Sequence, residues 1–189
     1  TVHCPAAAAR TLEGFLEENG NIVLTRPGDS WKLGELQITA YRGKHVAFSP
    51  SLVFQRLFSP KLFRRPKNLL FLAWAHPHFR ERKNTLVYEI RAEGKNILLL
   101  GSMALDEKTE YPQGTDLLIL PYQGKRRPEK AACEIVEKLK PKRILLDHFD
   151  DAFPPASREE DTRPFYRMLS SRFPQIQAVK PKAGKPVRL

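Results

Sequence analysis

Residues 116–148 read DLLILPYQGKRRPEKAACEIVEKLKPKRILLDH, and the periodicity of this stretch decides the fold class. Asp116 to Leu120 is a short run of Leu and Ile, too brief for a helix and suited to a buried strand. Pro121-Tyr122-Gln123-Gly124 turns the chain toward a helix with Pro128 near its start, a position where the missing N–H has no helical partner to lose. Ala131, Ala132, Ile135, Val136 and Leu139 recur at helical spacing and mark the core face, and Lys140-Pro141-Lys142 ends the helix. Arg143 to Asp147 is again short and apolar. A strand-helix-strand unit normally sets its strands parallel, because the helix returns the chain across one face of the sheet. The expected class is therefore α/β.

Working upstream, Thr85 to Arg91 and Asn96 to Leu100 flank Ala92-Glu93-Gly94-Lys95, a hairpin pattern with glycine in the turn, and the second strand ends at Gly101-Ser102. Leu36 to Tyr41 alternates as a half-buried strand and runs into a loop holding Gly43, Lys44 and His45. Pro5 to Glu18 places Ala6, Ala9, Leu12, Phe15 and Leu16 on one helical face, with Asn19-Gly20 as its stop. Ile22 to Leu24 is a short apolar run and Pro27-Gly28-Asp29-Ser30 a turn. Downstream, a helix over Asp161 to Arg172 buries Phe165, Met168 and Leu169, and Ile176 to Val179 forms a closing edge strand. Between about 50 and 84 the pattern turns irregular, with prolines at 60, 66 and 77; it reads as an insertion with one strand over Leu69 to Ala75.

With 189 residues and 41% hydrophobic content, one domain can bury a sufficient core without disulfides. Cys4 and Cys133 lack spaced partners for a zinc knuckle or a redox pair, which fits a reducing compartment. No apolar run approaches the ~20 residues that cross a bilayer, and the first residues lack the pattern of a secretory signal. The expectation is a cytoplasmic protein with no membrane partner.

The formal charge is +11, from 32 Lys and Arg against 21 Asp and Glu, and much of the excess is local. Between Arg56 and Lys83 lie eight basic residues and one acid, Glu81. Such a balance suits nucleic acid, an acidic lipid surface or an anionic substrate. Phe54, Phe58, Phe63, Phe71 and Phe79 interleave with the cations, as on single-strand-binding surfaces. No RNA or DNA module signature accompanies them, so core phenylalanines edged by solvated cations remain the simpler reading. A second copy of the chain packing on the insertion is a further reading. Nucleotide phosphate loops, dinucleotide glycine fingerprints and Gly-x-Ser-x-Gly elbows are absent from the sequence.

The densest polar cluster is Asp147-His148-Phe149-Asp150-Asp151, directly after a buried strand, where α/β proteins commonly present ligand-contacting side chains. His148 beside carboxylates has the chemistry of a metal ligand whose other nitrogen is held by an acid. The alternative is a turn in which Asp150 and Asp151 cap backbone amides. His45 also follows a strand, whereas His76-Pro77-His78 lies among arginines that disfavour a cation.

The runs Leu36 to His45, Ile97 to Ser102, Thr115 to Tyr122 and, most specifically, Leu139 to Asp150 together resemble the metallo-β-lactamase superfamily. The resemblance covers most of residues 1–180 and is strongest to its cytoplasmic metal-dependent hydrolases, the branch including ascorbate-6-phosphate lactonase. It implies an αββα sandwich with one or two metal ions at one edge, zinc or another divalent ion such as manganese. It further implies metal-activated hydrolysis of a small anionic ester, lactone or phosphoester. By this resemblance His45 and His148 are metal ligands and Ser102 stands where the family has a metal-bridging Asp; Asp150, in the polar cluster after the buried strand, is the candidate catalytic carboxylate. The family's His-x-His-x-Asp-His motif would precede the helix over Pro5 to Glu18; these 189 residues correspond to the later two-thirds of such a domain. A non-catalytic scaffold of the same fold, binding an anionic partner or nucleic acid through its basic insertion, is the other reading.

Overall fold

The computed structural model describes residues 1–13, 20–47, 66–75, 85–151 and 157–187. In chain order the described elements are β1 (Val2–Cys4), α1 (Ala6–Leu12), β2 (Ile22–Leu24), β3 (Ser30–Leu33), β4 (Leu36–Arg42), α2 (Pro66–Ala75), β5 (Leu86–Ala92), β6 (Lys95–Leu100), β7 (Leu117–Pro121), α3 (Pro128–Leu139), β8 (Arg143–Asp147), α4 (Arg163–Arg172) and β9 (Gln177–Val179).

Seven strands form one sheet in sequence order, β3 to β9. From β3 to β6 the pairing is antiparallel, starting with the tight β3–β4 connection and continuing through the β5–β6 hairpin. Glu93 and Gly94 at that hairpin's tip both have positive φ, +49° and +71°, as a two-residue turn matching strand twist requires. From β6 to β9 the pairing is parallel, and α3 supplies the crossover between β7 and β8. Helix α3 opens on Pro128 and stops at Lys140, whose left-handed φ of +48° lets its N–H bond Val136 O at 2.8 Å before Pro141.

Side chains alternate across the sheet, so cross-strand partners share a face. One face carries Leu98, Leu100, Leu118, Leu120, Ile144 and Leu146, all fully buried. Against them pack Ala132, Ile135, Val136 and Leu139 of α3, with Phe165 and Leu169 of α4. Each such aliphatic side chain contributes ~1.5–3 kcal/mol by leaving water. On the opposite face Trp31, Ile38, Ile90, Ile97 and Leu117 align through the register. His3 of β1 stacks on Trp31 with centroids 4.3 Å apart, and Trp31 meets Tyr88 edge-on. The parallel β1–β2 pair thus forms a second layer over this face. The layers are two helices, a seven-strand sheet, and a two-strand piece of a second sheet: a truncated αββα sandwich, as the sequence led one to expect.

The strand expected over Leu69 to Ala75 is instead part of helix α2. The run holds no β-branched residue, Leu and Ala are strong helix formers, and Pro66 suits a first helical position. A bare apolar run carries no period to separate the two states. The turn expected at 27–30 gives up Ser30 to β3, and β1 arises where no strand was expected. Helix α1 covers Ala6–Leu12 of the expected Pro5–Glu18; residues 14–19, with Phe15, Leu16 and Asn19, lie outside the described residues. So do 48–65 and 76–84, including His76 and His78.

Candidate functional site

Because β4 is antiparallel to β5 and β5 to β6, strands β4, β6, β7 and β8 all run the same way. Their carboxyl ends share one sheet edge, the place where α/β sheets usually bind ligands. His45 lies three residues past β4, Ser102 two past β6, Gln123 two past β7 and His148 one past β8. Both histidines singled out in the sequence therefore leave the sheet at the same edge. Strand β8, which precedes His148, is four strands beyond β4, which precedes His45, roughly 19 Å across that edge.

The loop after β4 is laced to the loop after β6. Gly43 pairs with Leu105 in an isolated bridge and donates its N–H to Thr85 O at 2.7 Å. A Cβ at Gly43 would sit 2.7 Å from that same oxygen, so the close approach requires glycine. Lys44 Nζ meets Glu107 at 3.0 Å, and Val46 N–H donates to Ser102 Oγ at 2.9 Å. Tyr111 adds a fourth tie: its hydroxyl donates to Arg42 O at 2.6 Å and accepts from Asp106 N–H at 2.9 Å. Ser102 is 7% exposed and acts through its hydroxyl as the anchor of the His45 loop.

His45 is half-buried, and its Nδ1 stands 2.8 Å from Val46 O. A carbonyl oxygen only accepts, so Nδ1 carries the hydrogen and, in the neutral ring, Nε2 carries the lone pair. That tautomer presents a metal-ligating nitrogen.

His148 is exposed and adopts φ +50°, the left-handed region that a side chain enters at a cost. Its N–H donates to Asp147 Oδ1 at 2.8 Å, so Asp147 caps the turn. Phe149 O accepts from Glu160 N–H at 2.8 Å, and Lys180 Nζ lies 4.6 Å from the Phe149 ring centre. Gln123, 8% exposed, donates through Nε2 to both Asp150 O, at 3.0 Å, and Arg158 O, at 2.7 Å. Asp151 Oδ1 accepts from the Ser157 hydroxyl at 3.2 Å. Asp150 is exposed, and Gln123 holds its backbone in place.

A cleft of about 430 Å³ opens beside the His45 loop, lined among others by Lys44, His45, Glu107, Lys125, Glu134 and Lys138. Three lysines against two glutamates give it a positive excess suited to an anion. His148 is not among its lining residues, so the cleft gathers His45 and the cations but not the second histidine. Among the described residues no three His, Cys, Asp or Glu side chains converge into a set able to hold a metal ion. Two imidazoles that leave one sheet edge fall short of the usual three or four ligands.

Sequence reasoning passed over Gln123, Tyr111 and the anchoring part of Ser102. The signal available for Gln123 was a polar residue leaving a buried strand at the same edge as the histidines. Tyr111 carried none.

No family model matches the chain, and no curated protein matches it. Solved structures do. Igni18, a metallo hydrolase from the hyperthermophilic archaeon Ignicoccus hospitalis KIN4/I, superposes with a TM-score of 0.57 at 12% identity over 98% of this chain and 66% of its own. YhfI of Bacillus subtilis, a metallo-β-lactamase fold protein, gives 0.53 at 10% identity over 94% of this chain and 61% of its own. CmlA, a diiron β-hydroxylase from Streptomyces venezuelae, gives 0.51 at 11% identity over 94% of this chain and 38% of its own. The chain therefore spans less than two-thirds of the length of these structures, and at such identities the likeness carries the fold alone.

Proposed function

From a chain with the metallo-β-lactamase fold, we propose a metal-dependent hydrolase acting on a small anionic ester, lactone or phosphoester. His45 and His148 serve among its metal ligands and Asp150 as its catalytic carboxylate. The observation that supports this most is the shared carboxyl edge of β4, β6, β7 and β8, from which both histidines emerge. His45 enters the site as a preset tautomer, its Nδ1–H engaged by Val46 O. Ser102 and Tyr111 hold its loop, and Gln123 holds the backbone of Asp150. Lys44, Lys125 and Lys138 line the neighbouring cleft, where they raise the local concentration of an anionic substrate. A divalent ion such as zinc or manganese supplies, when bound, a water of pKa near ~7 and polarises the scissile oxygen. Two imidazoles are a partial donor set, so the remaining ligands come from outside the described residues. The second reading, a scaffold without catalysis, is favoured by that same incompleteness.

Elemental analysis of the full natural protein, beside a His148→Ala variant, separates the two. Near-stoichiometric metal in the parent and clearly less in the variant is the expected result. Equal metal content in both sinks the hydrolase reading and leaves the scaffold.

A further inference from the structure

The three lysines of the cleft beside His45 are not equivalent. Lys44 is committed to Glu107 at 3.0 Å, and Lys138 stands 5.8 Å from the centre of the Tyr111 ring, within reach of its negative face. Lys125 is half-buried, and among the described residues it makes no hydrogen bond and no ion pair. A cation in that position has given up part of its hydration without gaining a partner, so an anion beside it recovers what burial cost. Its root is fixed. Lys125 follows Gly124, whose φ of +90° turns the chain between β7 and α3, and Gln123, two residues earlier, is fastened to the Asp150 and Arg158 carbonyls.

Much of the remaining wall is apolar. Ala131 and Ile135 face the cleft from α3, one turn apart, and Ala104 and Leu105 border it from the loop after β6. Glu107 and Glu134 set a limit on charge. Three lysines against two glutamates leave a single positive charge over, so a compact polyanion meets both acids and leaves the apolar wall without contact.

We infer that this cleft binds an amphipathic monoanion, a carboxylate on a short apolar body, with Lys125 selecting the charge and the Ala104, Leu105, Ala131 and Ile135 wall taking the body. A volume of about 430 Å³ suits such a ligand, near the lower end of the ~300–1,000 Å³ of small-molecule sites. Inorganic phosphate satisfies the cation but leaves the wall facing polar groups, and an uncharged alkyl compound does the reverse. For the reaction proposed above, this narrows the substrate to an ester or lactone that carries one carboxylate on an apolar body. That narrowing rests on the hydrolase reading, whereas binding to the cleft does not.

Octanoate is the probe, titrated into the full natural protein in the presence of a chelator, with acetate, octanamide and inorganic phosphate as comparisons. Met103, 2% exposed, borders the cleft, and its isotope-labelled methyl signal, assigned by Met103→Leu, reports occupancy. A saturable shift is expected with octanoate at lower concentration than with any of the other three. Lys125→Gln should weaken octanoate roughly tenfold or more while leaving octanamide unchanged, and Lys125→Arg should restore most of the affinity. Lys130→Gln removes the same charge from an exposed position of α3 outside the cleft and should bind like the parent. An unmoved Met103 signal, acetate, phosphate or octanamide matching octanoate, or Lys125→Gln binding like the parent overturns the inference. With the metal chelated, each of these outcomes leaves the comparison of metal content in His148→Ala standing. Equal metal in that comparison, with octanoate still bound through Lys125, removes the narrowed substrate and keeps the cleft as a binding site.

Discussion

Replacing His148 by glycine should make the protein more stable than replacing it by alanine, although glycine is ordinarily the weaker choice. The imidazole is exposed, so either substitution gives up little packing. The backbone decides the difference. At φ +50° a side chain costs about 1–2 kcal/mol, and alanine keeps the offending Cβ. Glycine removes it but brings ~0.5–1 kcal/mol of extra unfolded-state freedom. The net advantage of His148→Gly over His148→Ala is therefore about 0.5–1 kcal/mol, or ~1–4 °C in melting temperature for a chain of this size. Urea titration and thermal melting of the two variants measure it, with Lys140→Gly as a companion. Lys140 is left-handed too, at +48°, and caps α3 away from the candidate site; glycine there should stabilise by a similar amount. His148→Ala matching or exceeding His148→Gly would refute the reasoning, because it would mean that residue 148 does not pay a left-handed cost.

Glu89 is 2% exposed on the helix-covered face and accepts from Tyr41 at 2.7 Å, Asn96 at 2.8 Å and Arg91 Nε at 3.0 Å. Burial pushes its carboxyl up, but these hydrogen bonds together outweigh burial and hold it below the usual value. The stability it contributes is thus complete above the unfolded-state value and disappears as pH falls through the lower folded value. Glu89→Gln should cost about 1.5–3 kcal/mol near neutrality, with the gap to the parent narrowing in acid; denaturation at a series of pH values reads this, and a gap that widens in acid contradicts it. Gln123→Met keeps the volume but leaves the Asp150 and Arg158 carbonyls without their donor. A loss of about 1–3 kcal/mol and faster protease cleavage between those residues are expected, and unchanged cleavage counts against a holding role.

The helix-side core was legible because β6, β7 and β8 are short aliphatic runs joined by a helix whose apolar residues keep strict spacing. Ser30 to Leu33 was not, because an edge strand with one flank in water needs no apolar alternation. Leu69 to Ala75 was misread because a run without period leaves helix and strand equally open. At the candidate site, His45 and His148 stood out as imidazoles directly after strands. What holds their loops did not, since Tyr111 reaches Arg42 across 69 residues, Ser102 reaches Val46 across 56 and Gln123 reaches Asp150 across 27. Such long-range pairings leave no mark in local composition.

The clasp formed by Gln123 has an evolutionary consequence. It grips the chain at Asp150 and again at Arg158, so both points are fastened to one residue just past β7. A single exchange at position 123 therefore loosens two distant backbone points together, so these two segments evolve as a coupled pair.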